Sequence, residues 1–282
     1  MRIDLHAHST ASDGTDAPAD LIRAASAAGL DVVALTDHDT VSGWAEALAA
    51  AETIGITMVP GVEISCRWQG VSLHLLAFFF DPADAPLLAE MERTRNGRAG
   101  RAETMVAQLA ADYPISWAQV QRHATGDTVG RPHIADALVE SGVVATRDEA
   151  FDRLLHSRSA YYVPHAAPEP VAAVGLVRAA GGVAVFAHPG ARGRGEVVPD
   201  SLIVEMAAAG MAGLEVDHRD HDAPTRARLR DLASRLGLLV TGSSDYHGTG
   251  KVNRLGENTT SPEAYAAILA AATSGVAPGG GS

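Results

Sequence analysis

Apolar residues in this chain fall into short runs that break on polar side chains, with helical spacing between the runs. Residues 3–5 predict a short opening strand. Residues 18–28 carry apolar positions at helical spacing and stop at Gly29, the residue type that most easily ends a helix. "LDVVALTDHD" is a continuous apolar run of the buried-strand kind, and residues 44–53 read as a second helix stopped near Gly55. "ITMVPGVEIS" and "VSLHLLAFFF" predict a third and a fourth strand. Strands alternating with helices of this length predict parallel βαβ units.

The pattern changes at Pro82. From there to about residue 170 the chain reads as mostly helical and carries arginine-rich stretches such as "RTRNGRAGR". This region is predicted to be a helical subdomain, residues 82–170, inserted into an α/β domain made of residues 1–81 and 171–275. The alternation resumes with "VAVFAH", a helix over 200–209, "GLEVDH", a helix over 224–236, and "GLLVTGSSDYH". The tail 276–282, "VAPGGGS", reads as flexible by composition.

Nearly every predicted strand ends on histidine or a carboxylate. His6 and His8 close the first, Asp37 and His38 the second, Glu63 the third, and His74 sits within the fourth. His188 closes "VAVFAH", Asp217 and His218 follow "GLEV", and Asp245 and His247 close the last. In parallel α/β folds ligands bind beyond the carboxyl ends of the strands, so these side chains converge on one point. A single buried histidine is ordinarily a hydrogen-bonded core residue, and an isolated HxH is a weak sign of metal. Core packing does not explain the repetition, because uncompensated buried carboxylates cost several kcal/mol each. Imidazoles and carboxylates together are ligands for divalent transition metals, and bound ions offset that cost.

Bulk composition narrows the class. A chain of 282 residues, 46% hydrophobic and 20% charged, suits one large soluble domain or a domain with an insertion. No apolar run approaches a bilayer span, no export signal is evident, and Cys66 is the single cysteine, so a cytoplasmic location is expected. A net charge of -12 argues against a broad nucleic-acid-binding surface and against duplex DNA as a partner.

"DLHAHSTASDG", "ALTDHDT", "PGVEIS", "HLLAF", "AHPG" and "SSDYHG", in this order, resemble the PHP family, the polymerase and histidinol phosphatase superfamily. The resemblance implies a distorted (β/α)7 TIM-like barrel holding two or three divalent ions, with manganese, iron or zinc all compatible. Carried over residue by residue, it implies as ligands His6, His8, Asp13, His38, Glu63, His74, His188, Asp245 and His247, with Glu63 bridging two ions. Asp37, His38, Glu63 and His247 are the candidate catalytic groups, Asp37 or His247 being the candidates for protonating the leaving group. Such a site suits phosphoester hydrolysis by a metal-activated hydroxide. Nothing resembles a Ser, Cys or Asp nucleophile motif.

The inserted region bears on the substrate. Arg131 precedes a helical pattern, where it could hold a phosphate bidentately beside the amide donors of a helix N-terminus; a plain helix-opening turn is the alternative. His165 lies in a second loop, "YYVPHAAP", and Arg192 follows His188, where the alternative is a solvated loop arginine. Tyr161 and Tyr162 either stack on a base or pack internally. "GRPHIA" together with "YVP" is similar to the PHP branch of 3',5'-nucleotide bisphosphate phosphatases and enzymes that trim RNA from its 5' end. That branch implies Arg131, His133, His165 and Arg192 as phosphate contacts, and as substrate a nucleotide bisphosphate or short RNA. His165 stands where some relatives carry lysine, so no permanent charge is assigned there. The alternatives are a histidinol-phosphate phosphatase or a cyclic-phosphate phosphodiesterase on the same fold, or a non-catalytic accessory domain.

Overall fold

The computed structural model describes every residue except Thr125, His165, Gly195 and Ser282. The strands follow one another around a nearly closed barrel: β1 (Ile3–Asp4), β2 (Val32–Leu35), β3 (Thr57–Trp68), β4 (Val71–Phe78), β5 (Val183–Phe186), β6 (Gly213–Asp217) and β7 (Leu239–Gly242). β1, β2 and β3 pair in parallel, and so do β5, β6 and β7. Past the strand ends, Ala7 and Tyr246 form a parallel bridge, and the His8 N–H donates to the Tyr246 carbonyl at 2.8 Å. This is the distorted α/β barrel that the motifs imply.

One unit departs from the predicted alternation. β3 and β4 form an antiparallel hairpin, and β4 is antiparallel to β5 as well. Only Gln69 and Gly70 separate the first pair, with φ of 45° and 91°. A parallel pair needs a crossover of a dozen or more residues, whereas positive φ at both central positions makes the tight hairpin turn. β3 serves both geometries. It runs beside β2 over Thr57–Pro60 and beside β4 from Gly61 onward, which carries Glu63 across to a bridge with His38. The tail is the second departure. β8 (Gly279–Gly280) pairs antiparallel with Met58 and Thr57, because an edge of β3 is available there to bare glycine backbone.

Helices α1 (Pro18–Ala27) and α2 (Trp44–Ile54) cover the first strands; Pro18 opens one, and Gly55 closes the other at φ 82°. α3 (Ala85–Leu109) starts where the Asp84 carboxylate accepts the Leu87 N–H at 2.9 Å. Its Leu87 and Met91 pack into the barrel core. Its far half joins α4 (Trp117–His123), α5 (Arg131–Glu140) and α6 (Arg147–Ala150) around a separate cluster that includes Met105, Leu109, Val120, Ile134 and Leu138. Burying such a side chain is worth roughly 1.5–3 kcal/mol, so this helical unit is a packed body. After it come α7 (Pro170–Ala179), α8 (Asp200–Ala208), α9 (Ala223–Leu236) and α10 (Pro262–Ala271) on the outside of the barrel. No helix among the described residues is long and apolar enough to cross a membrane.

Candidate metal centre

The side chains implied as ion ligands meet at one end of the barrel. Glu63 is their centre. Its Oε2 lies 3.1 Å from Nε2 of both His6 and His8 and 3.3 Å from His38 Nδ1, while its Oε1 lies 2.8 Å from His74 Nδ1 and 3.1 Å from His188 Nε2. Asp245 Oδ1 is 3.4 Å and 3.3 Å from the same His6 and His8 nitrogens. Asp13 sits 3.3 Å from His247 Nε2 and 3.7 Å from His8 Nδ1. Ligand atoms within 4.8 Å of one another form three overlapping sets: His8, Asp13, His38 and His247; His6, His8, Glu63 and Asp245; and His38, Glu63 and His74. Glu63 faces two sides at once, as a bridging carboxylate must.

These groups fit divalent cations. Nδ1 of His8, His38 and His74 and Nε2 of His247 are buried without a hydrogen-bond partner. Each such atom costs about 1–3 kcal/mol unless something fills the gap between them. The neighbours set the tautomers. His6 Nδ1–H donates to Glu215 at 3.0 Å and His247 Nδ1–H to the Asp245 carbonyl at 2.8 Å, so both rings turn a lone pair inward from Nε2. Burial favours neutral His247, and Lys251 and His8 add to that, taking it down to about 4. Burial works the same way on His8, but Asp245 and Glu63 outweigh it and push the ring up to about 9. Without cations, protons must balance the carboxylates. Two of the ligand positions, His188 and Asp245, sit at positive φ, 32° and 54°, backbone that non-glycine residues rarely hold outside functional sites.

A model of the PHP domain matches residues 4–170. The chain belongs to the PHP family. It is 36% identical over 259 residues to a 3',5'-nucleoside bisphosphate phosphatase of Chromobacterium violaceum, an alignment that covers 89% of each chain. It is 34% identical over 258 residues to a 5'-3' exoribonuclease of Haemophilus influenzae, covering 91% of this chain and 94% of the relative. A crystal structure from Bifidobacterium adolescentis, assigned to the metal-dependent phosphoesterases, superposes with a TM-score of 0.92 at 41% identity over 96% of both chains. The protein is therefore a metal-dependent phosphoesterase, and the reading as a non-catalytic module falls away.

Residues around the PHP centre were less visible in the sequence. Glu215 accepts from His6, from the His188 N–H at 2.7 Å and from Ser243, yet "GLEV" draws the eye to its neighbours. The signal was a carboxylate inside an apolar strand. Asp217, by contrast, points outward to Arg226 and Arg230. Asp37 accepts the Ser9 N–H at 2.8 Å, the Ser9 hydroxyl at 2.7 Å and the Ser12 hydroxyl at 2.6 Å. Both its oxygens are engaged with Ser9 and Ser12 in the loop that presents Asp13. Asp4 and Lys251 also escaped notice: Asp4 accepts from the Ser244 N–H at 3.0 Å, and Lys251 donates to Asp245 at 3.1 Å.

The helical unit lies against this end of the barrel. Thr128 donates to the His38 carbonyl at 2.8 Å, and Gly126 rests so close on the loop after β1 that a Cβ would lie 2.2 Å from the Thr10 carbonyl. Arg98 donates to the Ser65 hydroxyl and pairs with Asp39 at 3.4 Å. Beside it Arg101 and Arg131 flank Tyr162, their guanidinium carbons 4.9 Å and 5.7 Å from the ring centre. Burial, and then the like charge of Arg131, push the Arg101 guanidinium below its ordinary range; burial and Arg98 do the same to Arg131. Arg131 thus falls within a basic cluster, its Nη1 donating to the Leu155 carbonyl at 2.9 Å. His133 has another place. Its Nδ1 accepts the Gly130 N–H at 3.1 Å and it lies against the Ser12 backbone, so it ties the helical unit to the Asp13 loop. Arg192 is exposed on a short turn after β5. His165 lies outside the described residues. Tyr161 donates to Asp112 at 2.6 Å, an internal contact within the helical unit.

Proposed function

We propose that this phosphoesterase removes one phosphate from a nucleotide that carries a second, most directly the 3'-phosphate of a 3',5'-nucleoside bisphosphate, with short RNA 5' ends as a further substrate. The observation that carries this reading is the basic cluster beside the imidazoles and carboxylates: Arg101 and Arg131 flank Tyr162, and both feel the like charge of Arg98. Arg98 joins the two, since Ser65, its acceptor, pairs with His74 across the β3–β4 hairpin. Guanidiniums gathered this closely favour an anion, and a planar fork matches a phosphate.

In this reading His6, His8, Glu63 and Asp245 would hold one ion, and His8, Asp13, His38 and His247 a second. His38, Glu63 and His74, with His188 alongside, would hold a third. Manganese, iron and zinc all suit these donors. Bound there, such ions supply an activated water and positive charge against the phosphate oxygens. The chain's own residues do the rest. Glu215 keeps the His6 proton on Nδ1 and so keeps Nε2 turned inward. Asp37 holds the loop of Ser9 and Ser12 that presents Asp13. The arginines bind the second phosphate and so orient the first.

The test is phosphate release by the manganese-loaded protein from adenosine 3',5'-bisphosphate, adenosine 5'-monophosphate, histidinol phosphate, a cyclic ribose phosphate and a short 5'-phosphorylated RNA. The bisphosphate should exceed both monophosphates in kcat/KM by at least about tenfold, the worth of one charged hydrogen bond. Equal or faster turnover of a monophosphate or of the cyclic ester would overturn the reading.

A further inference from the structure

His218 belongs to none of the three ligand sets, although it is fully buried beside them. It follows β6, its ring centre 5.4 Å from that of His188 and its Nε2 3.7 Å from Asp245 Oδ2. The Asp220 N–H donates to its Nδ1 at 3.0 Å. Nδ1 therefore spends its lone pair on that bond, and the proton of the neutral ring sits on Nε2. In this tautomer Nε2 has no lone pair for a cation. It is a buried donor that meets no acceptor within hydrogen-bond distance.

Asp245 is divided between two environments. Oδ1 faces His6, His8 and His247, at 3.4, 3.3 and 3.5 Å. Oδ2 faces away from them, 3.1 Å from the ammonium of Lys251, the chain's single lysine, and towards His218. The residue also sits at φ 54°, backbone that an aspartate holds only when its surroundings insist.

We propose that His218 is a positioning residue for Asp245: its Nε2–H, with the Lys251 ammonium, holds Oδ2 so that Oδ1 stays turned to the cation shared with His6, His8 and Glu63. The proposal rests on the reading of those residues as ion ligands. At 3.7 Å from Oδ2, Nε2 stands just outside ordinary hydrogen-bond length. His218 is a cleaner probe than Lys251. The lysine's hydrogen bond favours the ion while its charge opposes it, whereas His218 offers Asp245 a ring N–H.

Two substitutions separate its nitrogens. His218→Asn keeps an acceptor near Nδ1 for the Asp220 N–H and removes the donor at Nε2. His218→Gln reaches the Nε2 position with an amide N–H. The readout is Mn²⁺ binding to the ion-stripped protein, followed by the electron paramagnetic resonance of free Mn²⁺. In His218→Asn one class of site should weaken on the order of 10–100-fold while the others hold, and His218→Gln should recover most of the loss. The melting temperature of the ion-stripped asparagine variant should stay within about 2 °C of the parent. Unchanged affinity in His218→Asn overturns the proposal. So does uniform weakening of all sites with a lower melting temperature, which marks a merely structural residue. Failure of the parent protein to bind Mn²⁺ would instead bring down the ligand reading, and this proposal with it.

Discussion

The barrel end and the face of the helical unit are lined by opposite chemistry. The barrel contributes imidazoles and carboxylates, with Glu63 touching five histidines. The helical unit contributes Arg98 and, around a tyrosine, Arg101 and Arg131, and Asp39, reached by Arg98, belongs to the barrel side. In the proposed reading one wall takes cations and the other an anion. The barrel wall is built on strand ends and the loops that follow them. The arginines stand on α3 and α5, outside the strands. Chemistry and selectivity are thus separable, and substitutions should fall into two kinetic classes.

The largest effect belongs to the barrel wall. Glu63→Gln removes the charge that both sides of the cluster share and leaves the volume unchanged. Turnover should fall by at least on the order of 10³-fold, and metal content measured by elemental analysis should fall with it. Retained metal together with retained turnover would mean that Glu63 bridges nothing. Next comes Arg131→Met. KM for the bisphosphate should rise about 10–100-fold, the loss of one charged hydrogen bond, with metal content unchanged and the kinetics on a monophosphate unaltered. A fall in kcat on every substrate alike would place Arg131 with the chemistry and erase the division.

The two walls were unequally legible in the sequence. Strand-end side chains announce themselves, because His6, His38, Glu63 or His188 ends an apolar run, and local spacing carries that signal. The hairpin was legible in principle from the two residues between Trp68 and Val71, too few for a crossover. Asp37 looked like part of the cluster because it neighbours His38, yet its oxygens point to Ser9 and Ser12, a choice made by tertiary contacts. Glu215 was hidden for the same reason, since its partner His6 lies at the other end of the chain. The arginine wall was the least visible. The arginine-rich stretch of Arg98 and Arg101 stood out in the sequence, but only the folding of α3 along the barrel brings them to Arg131.

The finest test sits where the walls join. Ser65 accepts from Arg98 and donates to the Asp39 carboxylate at 2.7 Å, while its N–H donates to the other Asp39 oxygen at 2.8 Å. Ser65→Ala removes the hydroxyl and keeps the N–H, so β3 and its Glu63 stay in register. No charge changes, and Asp39 keeps one of its two bonds to the strand. Arg98 loses its anchor but not its pairing with Asp39. The lost bonds have charged partners, but the hydroxyl acts on the substrate only through Arg98, so about 1 kcal/mol of their worth should reach the bisphosphate and KM should rise roughly fivefold. Metal content should match the parent, and kcat should stay within about twofold. If metal were lost instead, the hydroxyl would be serving the cation wall through His74 across the hairpin, and the boundary between the two regions would have to be drawn on the other side of β3.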